Sequence, residues 1–145
     1  MKPISDFMKL HHKMLTVMLD EFRSSKKDTP KRERLFANFA SLLEKHMIFE
    51  EEVLFPLFEG KTGTESLNKS TSTLRKDHKQ VRDLAEKIKK MMNNNADTDK
   101  LENHLVEILQ EHEKTEVDIV YPWLDEAIGE DAAKAIIRGM KTISG

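Results

Sequence analysis

Three features of this sequence predict an all-α fold, an up-down-up-down four-helix bundle with a short C-terminal helix. The composition balances 38% hydrophobic against 34% charged residues with only five Gly and four Pro, which suits amphipathic helices better than sheets. The apolar residues recur at spacings of three and four, with no strand-like alternation of any length. Turn-forming clusters then cut the chain into four long segments and a short tail, and short links between long helices place neighbours antiparallel. At 145 residues the chain is expected to form one domain over 1–145, with the bundle at about 5–127 and the last helix at about 130–143.

The first helix is expected over about 5–25, ended by the stretch KKDTP. Thr29 and Pro30 read as an N-cap followed by proline at the first helical position. The second segment then runs to about Glu59, with Gly60 and Gly63 as its stop. A third spans roughly 64–92, and the polar stretch NNNADTD forms a loop. The fourth begins near Thr98 and ends by Gly129, and EDAAKAIIRGMKTI is the fifth helix.

Each long segment carries an apolar seam. The first has Met8, Leu15, Leu19 and Phe22, and the second Leu35, Phe39, Leu42, Val53 and Leu57. The third has Leu67, Leu74, Val81, Ala85 and Ile88, and the fourth Leu101, Leu105, Ile108, Ile119 and Trp123. Every seam is interrupted by one histidine: His12, His46, His78 or His112. Glu50 and Glu116 stand one turn after His46 and His112 on the same side.

These polar positions are written twice. His78, His112, Glu116 and Pro122 each lie 66 residues after His12, His46, Glu50 and Pro56. The two halves, 5–60 and 71–126, align without a gap and share seven identities, four of which are these His, His, Glu and Pro positions. A pseudo-twofold bundle follows, each half contributing two His and one Glu. The repeat also selects His12 over its neighbour. His12 maps onto His78, whereas His11 maps onto Asp77 and is expected at the boundary of the seam or just behind a ligand. His104 maps onto Asn38 and is expected at the rim.

A single seam histidine is usually a hydrogen-bonded core residue, and a single HxxxE is weak evidence. Six polar groups converging in one core are different. Each unsatisfied neutral polar group costs roughly 1–3 kcal/mol, and an unpaired buried carboxylate more. A domain stable by only about 5–15 kcal/mol does not carry six such groups uncompensated. Bound metal resolves the conflict.

The arrangement H…HxxxE…H…HxxxE, with EEVLFP and DIVYP around the two prolines, resembles the hemerythrin-like (HHE cation-binding) family over about 5–126. The resemblance implies a four-helix bundle enclosing two non-haem iron ions. His12 and His46 would bind one, His78 and His112 the other, and Glu50 and Glu116 would bridge them. Imidazole with carboxylate suits iron, and such sites with open positions take small oxidants. The Glu-x-x-His pairs of ferritin-like di-iron bundles are absent: none of the six histidines has Glu three places before it.

Two departures narrow the function that the resemblance implies. Oxygen-carrying hemerythrins have an HxxxH pair on the third helix and HxxxxD on the fourth. Here those positions are Arg82 and Val117. One histidine fewer leaves more positions open to O₂, peroxide or NO. That pattern resembles the bacterial branch linked to oxygen or NO sensing, peroxide turnover and iron–sulfur repair. The absence of cysteine weighs against a full repair role. Two classes stay open: a protein that binds O₂, NO or peroxide in stress response or iron handling, and an enzyme that consumes peroxide or reduces NO.

Other classes are excluded or unsupported. With a net charge of −2, no global basic field points to nucleic acid or anionic lipid. The basic runs at 26–27, 31–34 and 87–90 lack interleaved aromatics and read as solvated faces. Zero cysteines exclude disulfides, thiolate nucleophiles and cysteine-ligated metal, and fit a cytoplasmic location. No apolar run reaches membrane-spanning length. Pro56 and Pro122 are expected to kink their helices. Phe55, Tyr121 and Trp123 are expected to line the core near the site, and Glu51 and Glu52 to rotate off the seam toward the rim and surface.

Overall fold

The computed structural model describes residues 2–62 and 65–144. The expected helix stop at Gly63, the start at Thr64 and the side chain of Leu67 lie outside the described residues. The elements are α1 (Pro3–Ser24), α2 (Thr29–Phe49), a π-helical turn (Glu50–Leu54), α3 (Phe55–Thr62), α4 (Glu65–Asn93), α5 (Asp99–Thr115), a second π-helical turn (Glu116–Val120), α6 (Tyr121–Ile128) and α7 (Glu130–Ser144). α1 packs along α2, α4 along α5, and α2 against α4. The result is the expected all-α bundle with a C-terminal helix. No described helix is long and apolar enough to cross a membrane.

The helix ends are satisfied by local and distant groups. Asp28, not Thr29, caps α2: its side chain accepts the N–H of Lys31 at 3.1 Å, which places Thr29 and Pro30 in the first turn. The side chain of Lys2 makes no cap for α1. Asp125, from the far end of the chain, accepts the N–H groups of Ile4 at 2.7 Å and Ser5 at 2.9 Å. One carboxylate thereby satisfies two orphan donors of that helix end, where Pro3 has no N–H to satisfy. α3 continues past the expected stop at Gly60 to Thr62. Gly129 has φ 78° and ψ 169°, a conformation open essentially to glycine alone. It turns the chain so that Ala133 and Met140 of α7 bury against the end of the bundle.

Each π turn lies just before one of the two prolines. Pro56 and Pro122 cannot donate to the carbonyl four residues back, and their rings crowd it. The chain widens instead: Phe55 N–H bonds Glu50 O and Tyr121 N–H bonds Glu116 O, five residues apart. A π turn accommodates one extra residue, so every inward position after it moves on by one. The buried residues are therefore Leu54 and Phe58, not Val53 and Leu57, and Val120 and Leu124, not Ile119 and Trp123. Ile119 is 38% exposed. Before the turn, the seam of α2 runs through Phe36, Phe39 and Leu43, with Leu35 and Leu42 half-buried at its edge.

The core is split in two. One apolar cluster includes Met8, Leu54, Leu74, Val120 and Leu124. The other includes Leu15, Phe39, Leu43, Val81 and Leu105. Along each long helix the break between them falls at the seam histidine, so the polar residues form a layer between two apolar ones.

Candidate metal centre

α1, α2, α4 and α5 each supply one histidine to that layer, and the π turns that follow α2 and α5 each supply a glutamate four residues after the histidine. His12, His46, His78 and His112 are each at most 6% exposed, and Glu50 and Glu116 are fully buried. The imidazoles face in pairs. His12 Nε2 is 3.2 Å from His46 Nε2, and His78 Nε2 is 3.1 Å from His112 Nε2. The carboxylates span the pairs. Glu50 Oε1 is 3.4 Å from His46 Nε2 and 3.3 Å from His78 Nε2. Glu116 Oε1 is 3.4 Å from His12 Nε2 and 3.3 Å from His112 Nε2. All six residues expected at the site are brought together.

None of these carboxylate contacts is a hydrogen bond. Glu50 Oε1 and both oxygens of Glu116 are buried with no hydrogen-bond partner among the described residues. Orphaned carboxylate oxygens at the centre of four facing imidazoles fit a cation: oxygen and nitrogen donors converge, and the acceptor capacity is unused. Ligand atoms of Glu50, His78, His112 and Glu116 lie within 4.8 Å of one another, as do those of His12, His46 and Glu116.

The local fields are strong. Burial pushes the His46 imidazole down to about 3, with nearby His12 and His11 adding to the shift and Glu50 opposing it. Such a ring is neutral at pH 7, the form that binds metal. Burial alone would raise the Glu50 carboxyl, but His46, His112 and His78 together hold it well below the usual carboxylate range. Burial would lower His112, but Asp77 and Glu50 outweigh it and raise that ring.

A second ring of residues escaped the sequence reading. Glu51 is not a mere rim residue: its Oε2 lies 2.7 Å from His78 Nδ1, while Glu52 is exposed as expected. Arg82, which stands where oxygen carriers have a histidine, turns outward. It clamps Glu51 through two bonds of 2.8 and 2.9 Å and also binds Glu44. Asp77 Oδ2 lies 3.1 Å from His112 Nδ1. Tyr121, fully buried, donates its hydroxyl to Glu50 Oε2 at 2.7 Å and stands 3.2 Å from His12 Nε2. No spacing within one helix signals these partners, because each reaches its histidine or carboxylate from another helix. Phe55 stacks on His78, and Trp123 packs edge-on against Phe58, farther from the centre. His11 is buried at the margin with its ring stacked 6.0 Å from that of His46, while His104 is exposed.

A cavity of about 130 Å³ opens from the cluster. Beyond the ligands its walls are largely apolar, among them Leu15, Leu19, Leu43 and Leu109, and the lining reaches Asp20 and Arg23. A molecule of a few atoms fits such a space.

A family model described as the hemerythrin HHE cation binding domain matches residues 4–124, and matches again over 70–142. The second match begins where the second half of the internal repeat begins. No curated protein and no solved structure matches the chain.

Proposed function

The chain belongs to the hemerythrin HHE cation-binding family, and from that premise we propose that its buried cluster holds two iron ions that bind O₂, NO or peroxide. His12 with His46 and His78 with His112 would each ligate one ion, and Glu50 and Glu116 would bridge them. The observation that carries this reading is the unused acceptor capacity of two fully buried glutamates among four paired imidazoles. The iron pair supplies redox-active positions for a diatomic ligand or peroxide. The protein's own residues hold the imidazoles in register, set the site between two apolar layers, and place the Tyr121 hydroxyl at its edge. Burial, then the charge of Glu50, raises the Tyr121 phenol well above 10, so the group stays a donor. The apolar cavity suits a small neutral ligand rather than nucleic acid or lipid. The cysteine-free sequence fits a reducing compartment such as the cytoplasm.

Anaerobic loading with excess Fe²⁺, followed by elemental analysis, should find two iron ions per chain. A ceiling of one under iron excess would refute the paired site. Exposure of the reduced protein to O₂ then separates the function classes. A persistent charge-transfer band marks reversible binding, and rapid consumption of added peroxide or NO marks an enzyme.

A further inference from the structure

The two halves of the cluster share their ligands but not what stands behind them. A histidine that binds metal through Nε2 carries its proton on Nδ1, and an acceptor for that proton orients the ring and raises its basicity. In the His78/His112 half both Nδ1 atoms have one. Glu51 receives His78 at 2.7 Å and Asp77 receives His112 at 3.1 Å, and Glu51 is itself fixed by Arg82. In the other half, His12 Nδ1 and His46 Nδ1 are buried with no hydrogen-bond partner among the described residues. Glu113 approaches His12 Nδ1 only at 3.3 Å, and its side chain is 42% exposed. His46 has the ring of His11 beside it instead of a carboxylate.

The repeat shows why. The residue 66 places before Asp77 is His11, the one 66 before Glu113 is Met47, and the one 66 after Glu51 is Val117. None of the three carboxylates is duplicated. Tyr121 adds to the difference, since its counterpart Phe55 has no hydroxyl. The Tyr121 O–H engages Glu50 Oε2 beside His12, and Glu50 groups with both histidines of the His78/His112 pair while its Oε1 reaches only His46 of the other pair.

We infer that the cluster fills in order: the His78/His112 half takes the first metal tightly, and the His12/His46 half takes the second weakly and exchanges it. This rests on the reading of the cluster as a two-metal site. Asp77 and Glu51 act as positioning residues, through the rings they hold. Outer partners of this kind typically change metal affinity by about 10–100-fold each, so the two affinities should differ at least about tenfold.

The test is an anaerobic titration of the metal-free protein with Co²⁺ alone, followed by calorimetry and by the visible absorption of the bound ion. Wild type should show two resolved equivalents, the second at least about tenfold weaker. Asp77→Asn should weaken the first equivalent and alter its absorption while leaving the second unchanged, and Asp77→Glu should restore it. His11→Asp places a carboxylate at the position equivalent to Asp77 and should tighten the second equivalent by about tenfold, a gain that damaged folding cannot mimic. Two equivalents of equal affinity in wild type overturn the filling order while leaving the two-metal reading intact, as does weakening of the second rather than the first in Asp77→Asn. An unchanged second equivalent in His11→Asp also overturns it. Absence of binding at any concentration overturns both.

Discussion

Tyr121→Phe isolates one buried bond. The substitution keeps the ring, which lies 5.8 Å from that of His12 and within the apolar cluster, and deletes only the hydroxyl. Glu50 Oε2 then loses its 2.7 Å donor, and Oε1 already has none among the described residues. A hydrogen bond to a charged group is worth about 1.5–3 kcal/mol, and stranding a buried acceptor falls in the same range. For a chain of this length one kcal/mol corresponds to roughly 3–4 °C. In the metal-free protein at pH 7 the variant should therefore melt about 5–10 °C below wild type. After metal loading the difference should shrink, because a cation then compensates Glu50. Thermal melts by circular dichroism, with chelator and with Co²⁺, make the comparison. A metal-free difference under about 1 °C would refute the reasoning, since the carboxylate would then be satisfied without Tyr121.

Two further outcomes follow from residues already described. Asp125→Ala strands the N–H groups of Ile4 and Ser5 and should lower stability by about 2–4 kcal/mol in urea titrations with an unchanged slope, with Asp125→Asn intermediate. For pH, the folded-state value of His46 is depressed to about 3 against about 6.5 when unfolded. The unfolded chain therefore binds the extra proton first, and stability falls as pH drops below 6.5. By pH 4.5 this single group should remove about 2–3 kcal/mol from the metal-free protein, and His46→Gln should show a correspondingly smaller loss over the same window in urea titrations at each pH.

The sequence alone determined the fold class and the polar layer. Helical periodicity is local, so the spacing of apolar residues along each segment was enough to place His12, His46, His78 and His112 on inward seams. The 66-residue repeat chose His12 over His11 without reference to a structure. Tertiary structure decided what the period could not carry. The seams after Glu50 and Glu116 moved on by one residue because Pro56 and Pro122 are accommodated by π turns, and a fixed 3.6-residue period has no way to express that insertion. Glu51, Asp77, Arg82, Tyr121 and Asp125 found their partners on other helices, 27 residues away in the case of His78 and Glu51 and 121 in the case of Ile4 and Asp125. Which side chains meet across the bundle depends on helix rotation and crossing, quantities that only the packing of all the helices together sets. The pseudo-twofold ligand set was therefore legible in the repeat, and its unequal surroundings were not.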